Sequence, residues 1–565
     1  MIQPTNMSSD GDDQSNPSLW ERISHWMCTD PARSFFWFSL GIGVFLRLYV
    51  FAGGRMLWLD ESMIALNLMT RSSAELLEPL NFLQIAPAGW LIANKFALEI
   101  TGSVDYGLRL VALITGLGAL GLFAWLSRRL FSLPVAASIT LVFALSGTLV
   151  RYSVELKPYG ADVFFTLAIL ALVMLIWETS GRKARLSVGA LALTGLVGLT
   201  FSFPLVYVLG GSGGILILRL WLSGRRLDAA LLVAAAVSWL VVFIALMKTL
   251  YLVQAEGAGF GGGGVDTFFD RTGYAPFPPT SVTDLVWYPR WAHHTVKFLF
   301  GEFSAYFGLI LAGAGSVLMA RKRPWVLATI VAPLAFALLG SMLKAYPLFE
   351  RLTLFALPLV LLLVAQTFEA IRAELSTRAR VPVMAGAVFA FSVGSLFSLF
   401  DGLKSRPAFA MQDLGPALQI IEAEIQPGDW LVANTGAVST YLIYRHRYGL
   451  ENAAWLVLND AENAGACLTN QLADMQPGEQ VWSLNLDPLA HPKTPAAMPD
   501  FAEMLPGSTL SVQVIIADPQ TRLDVITPNT PPQRNDLESL AGCEPQLDIT
   551  KELLGGRPPA LSHTP

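Results

Sequence analysis

The chain has 565 residues, 53% of them hydrophobic and 14% charged, with a formal net charge of −5. Soluble domains carry roughly 25% charged residues, so this composition, with a mean hydropathy of +0.51, excludes the soluble class and indicates a polytopic membrane protein. The net charge itself excludes little, because charge in such proteins is read loop by loop.

The first 34 residues are polar and acidic (Ser8 to Asp13), unlike the basic start of a cleavable signal peptide. They read as a disordered or interfacial cytoplasmic tail, with the first span an uncleaved anchor. Apolar runs able to cross a hydrocarbon core of ~30 Å then recur near 35–54, 107–127, 133–150, 160–177, 187–203, 205–222, 229–250, 303–320, 325–343, 352–370 and 382–400. The expected fold is an all-α bundle of about eleven transmembrane helices. Basic clusters at Arg128/Arg129, Arg182/Lys183/Arg185, Arg225/Arg226, Arg321/Lys322/Arg323 and Arg372/Arg378/Arg380 each follow an even-numbered span. The excess of basic residues in cytoplasmic loops then puts the N-terminus inside and everything after 400 outside, in a multi-pass protein of the cytoplasmic (inner) membrane.

Two external loops are long. In 55–106, Ser62–Thr70 reads as a short amphipathic helix and Ala88–Ile100 as a second along the interface, with Trp90 and Lys95 at headgroup depth. The 251–300 loop holds a glycine-rich stretch, 257–264, followed by Trp287, Trp291, His293 and His294, and reads as a mobile flap over a groove. No strand precedes the glycines and no Lys-Ser/Thr helix follows them, which excludes a phosphate-binding loop.

After 401 the composition becomes that of a soluble extracytoplasmic domain, 401–565. Helix at Asp413–Gln426, strand at Trp430–Ala433, helix at Val438–Tyr448, strand at Ala454–Leu458, helix near Ala466–Met475 and strand at Val481–Leu486 imply a small parallel α/β layer. Val512–Ile516 and Leu523–Ile526 could close it as a hairpin. Cys28 falls on the cytoplasmic side. Cys467 and Cys543 fall in the external tail, where a disulfide and two free thiols are both open. There is no zinc-type spacing and no nucleic-acid motif.

Three external segments carry the polar residues that could do chemistry. The first holds Asp60-Glu61, a carboxylate pair where a span meets water. The second holds Arg151, Glu155, Lys157 and Tyr159, and the third Lys344, Tyr346, Glu350 and Arg351. Taken singly, such cations and tyrosines often only snorkel or anchor at the interface. Together, on one face, they suit transfer from a sugar carried on a polyprenyl phosphate. The leaving phosphate needs no protonation, so one general base suffices, whereas hydrolytic glycosidases need a second carboxyl group as acid.

The segment from about 40 to 175 resembles the GT-C glycosyltransferases, in the bacterial branch related to protein O-mannosyltransferases and aminoarabinose transferases. The resemblance rests on Trp58-Leu-Asp60-Glu61, Gln84 to Pro87, Tyr106 to Arg109, Glu155 to Tyr159, and Tyr346 to Arg351 with Pro358 beyond. It implies a GT-C-like membrane domain over 35–400, with Asp60 as catalytic base and Glu61 in support. It also implies that Lys157, Tyr159 and Arg351, with Arg151, Lys95 and Tyr346, hold the donor's lipid phosphate. The partners implied are a polyprenyl-phosphate-sugar donor and an envelope acceptor: glycolipid, polysaccharide or protein. Where the family often has paired prolines in the first loop, this chain has Pro87-Ala88. The resemblance fixes no cofactor; some relatives use a divalent metal, for which His293 and His294 with Asp60 or Glu61 are weak candidates. Two other classes fit less well: a lipid-linked-sugar transporter or flippase, which would place ionisable groups near the bilayer midplane, and a non-catalytic envelope assembly protein.

Overall fold

A computed structural model of the chain describes residues 30–82, 84–257, 273–451, 453–458, 478–486, 510–517 and 521–528. The N-terminal tail, the glycine-rich stretch beyond 257, all three cysteines and the helix expected near 466–475 lie outside the described residues.

The membrane part is built from α1 (Pro31–Ala52), α2 (Leu59–Thr70), α3 (Ala88–Thr101), α4 (Val104–Leu130), α5 (Leu133–Ala144), α6 (Gly147–Tyr152), α7 (Tyr159–Glu178), α8 (Gly181–Leu199), α9 (Leu205–Leu222), α10 (Arg226–Ala255), α11 (Val282–Phe300), α12 (Glu302–Lys322), α13 (Pro324–Met342), α14 (Glu350–Glu374) and α15 (Thr377–Lys404). Among the described residues, nine of these helices are long and apolar enough to cross a membrane. The other two expected spans differ for physical reasons. The third breaks after α5, where the Ser146 hydroxyl accepts from the Leu149 amide at 3.3 Å and starts α6 as a separate helix. The fifth, α8, begins six residues early and takes Arg182, Lys183 and Arg185 into its first turns.

Close helix approach needs glycine at particular points. A Cβ on Gly43 of α1 would lie 2.8 Å from the Ala144 Cβ of α5, and one on Gly315 of α12 only 1.9 Å from the Leu363 carbonyl of α14. Beside Gly43, buried Arg47 donates to the Gly43 and Ala144 carbonyls at 2.9 and 3.4 Å, tying α1 to α5. Of the spans, α14 is the most enclosed, with 83% of its apolar window buried, against 17% for α10 at the periphery.

Part of one expected loop is helical. The 282–300 segment is not a flap: Ser281 and Asp284 form a reciprocal capping box, and a 19-residue helix follows despite Pro289. The spacing of Trp287 and Trp291, four apart, is the helical signal. The helix expected at Ala88–Ile100 is present as α3, but Trp90 does not reach out to headgroup depth: it is 1% exposed and packs in the main apolar core.

After α15 come α16 (Gly415–Glu424), β1 (Trp430–Asn434), α17 (Thr435–Tyr444), β2 (Ala454–Leu458), β3 (Val481–Leu486), β4 (Leu510–Ala517) and β5 (Thr521–Pro528). The strand order is β2-β1-β3-β5-β4. The first three are parallel, and β5 and β4 add antiparallel at one edge, with a register shift between Val514 and Ile516. All six residues of β3 are buried, as expected of a central strand covered on both faces. The Asn434 side chain caps α17 through the Ala437 amide and bonds the Leu486 carbonyl, joining helix to sheet. One apolar core runs from Ile64 and Leu66 of α2 into Val438, Tyr441 and Leu442 of α17, so the sheet layer and the membrane bundle are packed together.

Candidate functional site

Helix α2 starts at Leu59, three residues earlier than the sequence pattern suggests, so Asp60 and Glu61 occupy its first turn. Carboxylates are favoured there by the exposed amides and the helix dipole. Successive helical residues point about 100° apart, and the two acids accordingly meet different surroundings.

Glu61 is completely buried. Its oxygens accept from Arg55 Nη1 at 2.7 Å, from Arg109 Nε and Nη2 at 3.0 and 2.6 Å, and from the Leu156 amide at 2.7 Å. Burial opposes ionisation, but Arg109 and Arg55 outweigh it and draw the carboxyl down to about 2. Arg109 in turn donates to the Arg55 and Met56 carbonyls at 2.5 and 3.1 Å. Glu61 therefore joins the approach to α2, the start of α4 and the 153–158 turn, with no lone pair turned toward solvent.

Asp60 is 21% exposed and faces Arg351, whose Nη1 lies 2.5 Å from Oδ2, and Lys157, whose Nζ lies 3.8 Å from the same oxygen. Burial pushes its carboxyl up, but Lys157 and then Arg351 hold it below the ordinary carboxylate range. Lys157 also donates to Gln84 Oε1 at 3.1 Å. Its ammonium is held below the usual lysine value, first by burial and further by Arg351, with Asp60 opposing. The backbone at Glu350 adopts φ +36°, a conformation costly for a non-glycine residue, just where the chain brings Arg351 onto Asp60. Tyr159 sits beneath the Arg351 guanidinium at 5.9 Å, with Tyr152 edge-on to its ring at 5.3 Å.

The other expected phosphate ligands are placed differently. Arg151 contributes field to Asp60 but is bound to Glu155 at 2.7 Å and stacked over Trp58 and Tyr152. The Tyr346 hydroxyl donates to the Leu352 carbonyl at 2.9 Å, and its ring packs on Tyr207. Lys95 lies apart from the group: it reaches the Leu68 carbonyl at 3.2 Å, toward the far end of α2, and Glu99 at 3.4 Å. His293 packs on Tyr306 and its ring is turned 77° from that of His294. Among the described residues no three His, Cys, Asp or Glu side chains converge as metal ligands, so the histidines do not join Asp60 or Glu61 in such a set.

The supporting residues that sequence reasoning left without a role are Arg55, Arg109, Asp105 and Tyr444. Tyr444 of α17 accepts from the Leu57 amide at 2.9 Å and donates to Asp105 Oδ1 at 2.6 Å, while Arg447 binds Asp105 Oδ2 at 2.6 Å. Ser62 bonds Ser439 at 2.7 Å and accepts from Thr440 at 3.1 Å. The helix bearing Asp60 is thus gripped by the C-terminal layer. The available signal for Arg55 and Arg109 was a pair of cations flanking the loop that carries Asp60 and Glu61; nothing local marked Tyr444.

No known family profile matches the chain, and no curated protein is recognisably similar in sequence. Solved structures are similar. ArnT from Cupriavidus metallidurans in the apo state superposes with a TM-score of 0.52 at 13% identity, over 89% of this chain and 98% of that one. The same protein bound to undecaprenyl phosphate gives 0.52 at 15% identity over the same shares. The chain has the ArnT-like GT-C fold. The archaeal oligosaccharyltransferase AglB from Archaeoglobus fulgidus, in complex with an inhibitory peptide and a dolichol-phosphate, gives 0.46 at 10% identity over 82% of this chain and 70% of that one.

Proposed function

We propose that the chain is a membrane glycosyltransferase that moves a sugar from a polyprenyl-phosphate-linked donor to an envelope acceptor, with inversion, at the extracytoplasmic face. The observation that carries this reading is the contrast between the two adjacent carboxylates. Glu61 is saturated and sealed, whereas Asp60 is partly accessible and shares two cations of the kind that bind phosphate. The ArnT-like fold and that protein's complex with undecaprenyl phosphate support the donor class. The basic clusters in loops at the opposite ends of the spans support the orientation.

The chemistry follows from competition for the cations. A donor phosphodiester entering beside Asp60 takes Arg351 and Lys157 as its own partners, and Asp60 loses the charges that depressed its basicity. An acceptor hydroxyl then attacks the anomeric carbon from the side opposite the phosphate. The C–O bond to phosphate breaks, its electron pair leaves with the lipid phosphate, and Asp60 takes the hydroxyl proton. The leaving group gains one negative charge, which Arg351 and Lys157 stabilise. Gln84 holds Lys157, and Tyr159 supports Arg351.

Binding of undecaprenyl phosphate to the purified full-length protein tests this arrangement. Arg351→Ala and Lys157→Ala are each expected to weaken binding about tenfold or more, and Asp60→Asn to tighten it by removing the competing carboxylate. Unchanged affinity in all three would remove the phosphate from this site.

A further inference from the structure

Beside the 348–350 segment lies a cavity of about 510 Å³ that the transfer chemistry above does not use. Its volume falls in the range of small-molecule sites, roughly 300–1,000 Å³. One wall is a face of α11. Trp287 and Trp291, one turn apart, stack on each other with ring centroids 5.8 Å apart and planes 1° from parallel, so the two indoles form one rigid aromatic surface on that wall. Trp291 Nε1 donates to the Leu348 carbonyl at 2.9 Å, which fixes this surface against the 348–350 segment. Arg290 and His294 from α11, Glu302 from α12 and Glu350 complete a polar rim. Lys297 is also there, paired with Glu302. Glu350 immediately precedes Arg351, so the cavity shares a backbone segment with the Asp60 site.

We propose that this cavity is a saccharide-binding subsite of the transferase, a proposal that rests on the glycosyltransferase reading and specifies it. The lining has the two features a sugar ring needs. Flat indoles accept the apolar C–H face of a pyranose, and convergent charged groups around them bond its hydroxyls. An isoprenoid tail fits the lining poorly. It would cover the charged heads of Arg290 and Glu350 with hydrocarbon that offers them no hydrogen bond, which is costly. The ring bound here is either the donor's sugar or the terminal sugar of the acceptor.

Saturation-transfer NMR on the solubilised full-length protein, with methyl glucoside and methyl glucuronide as probes, tests the subsite without requiring turnover. The wild-type protein is expected to transfer saturation to ring C–H protons of at least one glycoside. Trp287→Ala should reduce that affinity about tenfold, with undecaprenyl phosphate binding and thermal stability retained. Arg290→Ala serves as a second variant that leaves the aromatic wall intact and should weaken binding of the glucuronide more than that of the glucoside. Displacement by undecaprenyl-phosphate-glucose, but not by undecaprenyl phosphate, assigns the subsite to the donor sugar; displacement by neither assigns it to the acceptor. The proposal is overturned if neither glycoside binds, if both variants bind as wild type does, or if farnesol displaces the glycoside. Asp60→Asn separates the two ideas: it should abolish transfer and leave glycoside binding unchanged.

Discussion

Asp60 and Glu61 are neighbours in sequence and opposites in environment. Replacing Glu61 with Gln leaves Arg55 and Arg109 buried without their counter-charge, and loss of one partner from a buried ion cluster costs roughly 3–5 kcal/mol. A clear fall in the melting temperature of the purified protein is therefore expected, with loss of activity following loss of structure. Asp60 should behave differently with pH. Its carboxyl is held below the ordinary aspartate value of ~3.9 by Lys157 and Arg351. A depressed group contributes stability that is complete above its unfolded value and lost as pH falls through the folded one. The free enzyme thus keeps Asp60 ionised, and the acid limb of kcat/KM should lie below ~3.9. If donor phosphate draws the cations away as proposed, Asp60 becomes more basic, and the acid limb of kcat should lie at higher pH than that of kcat/KM. Coincident limbs would argue against the exchange of partners.

At the scale of elements, α2 is positioned from outside the membrane bundle. The Tyr444 hydroxyl bridges the Leu57 amide and Asp105. Tyr444→Phe keeps the ring and leaves a buried amide and a carboxylate short of a partner, at about 1–3 kcal/mol. Its expected signature is a lower melting temperature and slower transfer, with undecaprenyl phosphate affinity retained; unaltered transfer would mean that α17 only covers α2. The membrane helices were legible because long apolar runs have few alternatives in lipid. Parallel strands β1 and β3 were legible because burial on both faces leaves nearly continuous apolar sequence. Helix α11 was not: the glycine-rich stretch upstream suggested a loop, and the Ser281–Asp284 cap and the four-residue tryptophan spacing carried the truer signal.

At the scale of the whole molecule, the candidate site is assembled from three loops far apart in sequence. Gln84, Lys157 and Arg351 reach Asp60 or one another from separate loops, and Arg351 is 291 positions away from its partner. Sequence patterns could collect these residues on one face through loop charge, but not which of them touch. That is why Lys95 and Lys157 were equal in type and prove unequal in place. The two-sidedness of the bundle matters for the same reason. Loops at one end carry the basic clusters, and loops at the other assemble Asp60, its cations and the α17 grip. The central claim is that Asp60 removes the acceptor's proton. The most direct measurement is mass spectrometry of envelope glycolipids and glycans from a strain lacking this chain, complemented with wild type or Asp60→Asn at matched expression. Wild type should restore one missing sugar and Asp60→Asn should leave it missing although the protein is folded and abundant. Full restoration by Asp60→Asn would contradict the account.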